Sequence, residues 1–270
     1  MTYQSVHGAE AGEGSLGIRS AGIGPDRSAQ TRTLIWTFVG FFVLWGLMDR
    51  VAAAYGSTRG EGGIQVLAVV LLAALALEYV AFRTQPVQAL SSLGFRAPNR
   101  KAFVWTAIVA IGLLCFYPLF GVATGSPVGL MAGSWAFAIG IFLQGGLAEE
   151  VVFRGFLFRR LREGRSFWRA AGIATIPFVA VHGLLFLVLD PMLATVSLLV
   201  AVSLSFPLAW LFERSGGSVW LPAVIHAVVQ GSVKLVVVGD EFATGMAVGW
   251  MLLSTLVPWV FLLVLRNKRG

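Results

Sequence analysis

The sequence predicts an all-α, polytopic membrane helical bundle, and three observations carry that prediction. Of 270 residues 57% are hydrophobic and only 12% charged, whereas a soluble globule is about a quarter charged. The mean hydropathy is +0.81. Eight apolar stretches recur at about 33–48, 64–82, 102–124, 133–158, 171–189, 193–212, 219–238 and 244–265, most of them near the roughly 20 residues that a spanning helix needs. A soluble enzyme, a coiled coil, a collagen-like fibre and a disordered chain are excluded by this composition. The single cysteine, Cys115, rules out an intramolecular disulfide.

Residues 1–32 are rich in Gly, Ser and Ala with scattered charge and lack the apolar run of a signal peptide, so they read as a disordered cytoplasmic tail. Residues 33–270 then form a single transmembrane domain, with no repeat of fixed period and no long linker. The stretch at 33–48 is short, and 171–212 is punctuated only by Asp190 and Pro191, which makes seven spans the alternative to eight. Sixteen of the 20 basic residues lie in the tail, in 83–101, 159–170 and 213–218, and at the C-terminus. Lys and Arg accumulate in cytoplasmic loops, so both termini are expected in the cytoplasm, as an even number of spans requires. The net charge of +7 is this topology signal and not a nucleic-acid-binding one. The Ala, Gly and Arg usage fits a bacterial inner membrane.

Ionisable side chains inside spans cost about 2.5–3.5 kcal/mol each on insertion and tend to mark function. Here they are Glu78, Glu149, Glu150, Arg154, His182, His226 and Lys234. Glu150 and Arg154 stand at i and i+4, the spacing of a helical ion pair, while Glu149 points about 100° away. Counted from the flanking arginines at 1.5 Å per residue, Glu149 lies about 15 Å deep, His182 about 20 Å and His226 about 18 Å. Three helices, the fourth, fifth and seventh spans, thus bring a carboxylate and two imidazoles to one level, which points to a shared polar cavity. Such a set suits general acid and base chemistry in a hydrolase. It also suits a proton relay in a transporter or a metal site. Zinc is disfavoured, because the chain has no His-Glu-x-x-His spacing and no cysteine near these residues. Glu78 is expected to be structural, as a partner for Lys234 or Arg154, and the arginines of 159–169 to anchor the border against anionic headgroups.

The residues resemble the CAAX-processing and bacteriocin-processing family of intramembrane proteases, relatives of the type II CAAX prenyl endopeptidase. Glu149, Glu150 and Arg154 match its Glu-Glu-x-x-x-Arg motif, Phe178 and His182 its Phe-x-x-x-His, and His226 its His-x-x-x-Asn, with Gln230 where the family usually has Asn. The resemblance covers 149–230 and places a protease-like core at about 133–238. It implies an endopeptidase without a cofactor, acting on a membrane protein or lipidated peptide in the bilayer, in which Glu149 and His182 hold and deprotonate a water. It further implies that His226 and Gln230 donate to the oxyanion, that Glu150 and Arg154 support Glu149, and that Phe178 packs against the site. Gln keeps the amide donor of Asn but carries it one methylene further out. A member impaired there would act instead as an immunity or partner-binding membrane protein.

Overall fold

The computed structural model describes residues 27–56, 60–187 and 190–266. It is a helical bundle of α1 (Arg27–Ala54), α2 (Gly63–Phe82), α3 (Pro86–Ser92), α4 (Arg100–Leu114), α5 (Phe116–Thr124) and α6 (Ser134–Ile141), followed by α7 (Arg159–Arg162), α8 (Phe167–Gly183), α9 (Pro191–Arg214), α10 (Trp220–Leu235), α11 (Asp240–Leu256) and α12 (Val260–Val264). Two π-helical segments, Phe142–Ala148 and Val151–Phe158, join α6 to α7 in one continuous rod. A two-residue strand β1 (Gly129–Leu130) pairs antiparallel with β2 (Val236–Val237). Large side chains such as Leu72, Ile111, Ile176 and Leu252 are exposed on the outer surface, where lipid takes the place of water.

Seven helices are long and apolar enough to cross a membrane, from Ser28–Ala54 to Asp240–Val264. The eighth expected span is present as α10, but it has only 16 residues, about 24 Å at 1.5 Å per residue and short of a hydrocarbon core of about 30 Å. Its apolar run continues to Val238 in the sequence; the backbone instead turns extended at Val236 and pairs with β1. The first helix differs too. It begins at Arg27, where the tail was expected to run to 32, because the polar stretch Arg27–Arg32 lacks apolar periodicity yet contains nothing that breaks a helix. Thr33 Oγ1 donates to the Ala29 carbonyl at 3.0 Å within it. The remainder of the expected tail, 1–26, lies outside the described residues.

Helix α10 stands at the seam of two apolar clusters, contributing Ala223 to one and Ile225 and Val229 to the other. Both of its ends are latched. Before it, Val219 N–H donates to the Gly94 carbonyl at 3.0 Å, Ser218 Oγ to the Arg96 carbonyl at 2.9 Å, and Asn99 Nδ2 to the Arg214 carbonyl at 2.6 Å. At the far end Tyr117 Oη and Ser232 Oγ are 2.8 Å apart, and Trp250 Nε1 donates to the Val229 carbonyl at 3.0 Å. Along its length α10 lies against Gly145 and Gly146 of the first π segment. A Cβ added at Gly145 would sit 2.2 Å from Gln230 Oε1, and one at Gly146 would sit 2.8 Å from the Ala223 carbonyl oxygen.

The second π segment is held just as closely, since a Cβ on Gly155 would lie 2.3 Å from the Leu93 carbonyl oxygen. Gly155→Val is therefore expected to lower stability by about 2 kcal/mol, the scale of core overpacking. Gly112→Ala, which would meet nothing within 4 Å, should leave it unchanged. Thermal unfolding of the two variants in the same detergent reads the difference.

Candidate active site

The adjacent acids Glu149 and Glu150 occupy a single α-helical step between the two π segments. In a π segment the hydrogen bond reaches back five residues, and Glu149 N–H accordingly donates to the Gln144 carbonyl. Such widened turns shift the faces that residues present, which α-helical spacing alone does not foresee.

Glu150 is fully buried. Its Oε1 accepts from Arg154 at 2.8 Å and from His226 Nδ1 at 2.8 Å, while Oε2 has no partner. The expected i, i+4 ion pair is thus present. His226 Nε2 faces Glu149 Oε2 at 3.5 Å, so one imidazole bridges two consecutive carboxylates. Helical spacing turns Glu149 about 100° from its neighbour, and the ring meets the two acids through its two different nitrogens. Glu149 keeps some exposure, with 14% of its side-chain surface open.

Arg154 lies under aromatic rings, 5.4 Å from the centroid of Phe178 and 5.9 Å from that of Phe153. Phe178 in turn packs its ring 4.3 Å from the imidazole of His182. This phenylalanine therefore separates the guanidinium from the second histidine. His182 Nδ1 lies 2.8 Å from the Phe178 carbonyl oxygen. A carbonyl only accepts, so the ring carries its hydrogen on Nδ1 and presents Nε2 as a lone pair.

His182, His226, Gln230 and Phe178 share the wall of a cavity of about 610 Å³ between α8, α9, α10 and α11. Gln230 packs its Oε1 over Gly145, where that oxygen is buried without a partner; the amide nitrogen remains the free end, a donor. Glu149 stands behind His226, and the charges acting on His182 come from Glu149, His226 and Arg154. The fold thus gathers every residue expected in the site. It also adds walls that the sequence analysis did not assign, Ser197 on α9 and Trp250 and Ser254 on α11, whose polar atoms read as ordinary small polar groups within apolar runs. Among the described residues no group of three or more His, Cys, Asp or Glu side chains is arranged to hold a metal ion.

Two expectations about the remaining charges change. Glu78 pairs with neither Lys234 nor Arg154: it is 1% exposed and accepts from Arg159 at 2.7 Å and Arg160 at 2.5 Å. Arg162 pairs with Glu213 at 2.6 Å. Two of the arginines expected at the headgroups, Arg159 and Arg160, are therefore turned to the protein, because α2 brings a buried carboxylate beneath α7 that cations neutralise, and Arg162 is tied to α9. Arg160 also stacks 3.4 Å above the ring of Phe82.

Residues 131–232 match the family model described as type II CAAX prenyl endopeptidase Rce1-like. A comparison with curated proteins finds no match. The matched segment contains all three motifs and bears out the resemblance over that part of the chain.

Breaking the Glu150 pair should be costly. Arg154→Gln leaves a buried carboxylate with one donor, a loss on the order of 3 kcal/mol. Arg154→Met combined with Glu150→Gln should recover part of that loss, as read by denaturant unfolding of the purified variants.

Proposed function

We propose that this membrane-embedded relative of the type II CAAX prenyl endopeptidases hydrolyses peptide bonds of membrane-associated or lipidated proteins, using a water activated by Glu149. The observation that carries the reading is the fixed hydrogen of His182. With Nδ1–H committed to the Phe178 carbonyl at 2.8 Å, Nε2 is left as a hydrogen-bond acceptor of a residue on the cavity wall, and the Glu149 carboxylate is close enough for its charge to act on the ring. Two acceptors suffice to hold a water by both hydrogens and draw electron density to its oxygen.

In this reading Glu149 takes one proton from the water as the oxygen bonds to the scissile carbonyl carbon. The carbonyl electron pair moves onto its oxygen, which accepts a hydrogen bond from Gln230 Nε2. When the carbonyl re-forms, the C–N bond breaks, the nitrogen takes the proton that Glu149 held, and the products are a carboxylic acid and an amine. With Nδ1–H donated to Glu150, His226 needs a second hydrogen on Nε2 to meet Glu149 or to join Gln230 as an oxyanion donor, and Glu150 and Arg154 hold the ring in place. No step is assigned to a metal. The distribution of Lys and Arg supports both termini facing the cytoplasm, and the Ala, Gly and Arg usage is compatible with a bacterial inner membrane.

The test compares peptide ends in membranes from cells carrying the wild-type chain or Glu149→Gln at equal abundance. New ends that need the carboxylate are expected, at least about 100-fold fewer in Glu149→Gln and likewise in His182→Ala. Equal ends in all three membranes overturn the reading in favour of a partner-binding protein. Gln230→Leu should slow cleavage by about 10²–10³, the usual cost of one oxyanion donor, whereas Gln230→Asn retains part of the rate. Cleavage should also survive a strong chelator; recovery by added zinc after chelation would refute the metal-free route.

A further inference from the structure

Among the side chains that line the 610 Å³ cavity, Lys234 alone carries a full charge by type. It is exposed there, and it makes no hydrogen bond or ion pair with any described residue. The carboxylates that act on it are Glu149 and Glu61, neither within ion-pair distance. Other cations of the bundle are paired with carboxylates, Arg154 with Glu150, Arg159 and Arg160 with Glu78 and Arg162 with Glu213, while Arg214 stacks on Trp210 at 4.2 Å. An ammonium on an apolar cavity wall gains from an anion in contact with it, and among the described residues no carboxylate is in contact.

Its position on the helix is equally specific. Lys234 follows Gln230 at i+4 and His226 at i+8, so all three lie along one face of α10. The ammonium side chain thus rises about 12 Å along the axis from His226, at 1.5 Å per residue. An extended peptide advances about 3.3 Å per residue, which places Lys234 three to four residues from a peptide bond held at His226 and Gln230. The wall between and opposite them is apolar, with Val196, Val200, Val233, Trp250 and Met251.

We propose that Lys234 is a specificity-determining residue that binds a carboxylate of the peptide, three to four residues from the bond to be cut. The carboxylate is either an Asp or Glu side chain or the chain's own C-terminus. The inference rests on the proposed peptidase reading, yet binding can be measured without turnover. Lys234 takes no part in bond breaking; it sets which peptides are held and in which register.

The test uses dansylated heptapeptides of Ala, Leu and Val added to the purified full chain in lipid nanodiscs. One set ends in a free carboxylate, a second is amidated, and a third is amidated with a single Glu four residues from the end. Wild-type protein should bind the carboxylate-bearing peptides about tenfold more tightly than the plain amide, and the better of the two names the source. Lys234→Gln should abolish the preference, Lys234→Arg should keep it, and Lys234→Glu should reverse it toward a peptide bearing Lys. Equal affinities for all three peptides in the wild type, or a preference that survives in Lys234→Gln, overturn the proposal. If the preference holds but no peptide is ever cut by the wild type, the peptidase reading fails and the binding role stands. Where cutting occurs, Lys234→Gln should raise KM for the carboxylate peptides about tenfold with kcat little changed. A purely structural lysine would not discriminate between these peptides.

Discussion

The Glu150 carboxylate is the constraint on which the site depends. One of its oxygens receives both the Arg154 guanidinium and the His226 imidazole at 2.8 Å, in a place no water reaches. A lone charge there would be prohibitive, and a pair is tolerable only with near-ideal geometry. That geometry demands that α10 come within side-chain reach of the acid pair. Gly145 and Gly146 permit the approach, because any larger residue would strike Gln230 or the Ala223 carbonyl. The latches at Val219, Ser218 and Tyr117 then hold α10 at that height.

Much of this was legible in the chain. Ionisable residues are so rare within the apolar runs that each announces itself, and counting from the nearest arginine brought Glu149 and His226 to one depth; the structure has them 3.5 Å apart. The Glu150–Arg154 pair followed from helical spacing. What could not be read was whatever depends on departure from ideal helix or on long-range partners. The π segments have no residue signature, so the bridging of both acids by one imidazole was hidden. Likewise Glu78 lies 81 residues from Arg159, and only the packing of α2 against the π segments brings them together. The length of α10 was misread for a related reason: Val236 to Val238 are as apolar as the helix before them, and pairing with β1, not composition, ends it.

The bundle uses its intramembrane charges in two ways. Around Glu78 three charged groups close on one another, with the ring of Phe82 against Arg160; this is architecture. Around His226 the set is left open: Glu149 retains exposure, the His182 Nε2 is unspent, and Gln230 turns its amide nitrogen away from Gly145. The contrast lies in the share of polar atoms left without protein partners on a cavity wall, and it separates a fastening from a site more clearly than residue type does.

The shortness of α10 has a bearing on hydration. The proposed hydrolysis among lipid chains would draw its water from the aqueous phase. A helix about 24 Å long among neighbours of 20 to 29 residues cannot reach both interfaces of a normal bilayer, and the mismatch is relieved by thinning the membrane or by letting polar groups in behind it. The extended segment that replaces its last turn carries backbone groups that tolerate such depth only beside protein or solvent. The truncated helix, which carries His226 and Gln230, is thus the one element of the site too short to seal an apolar barrier from face to face.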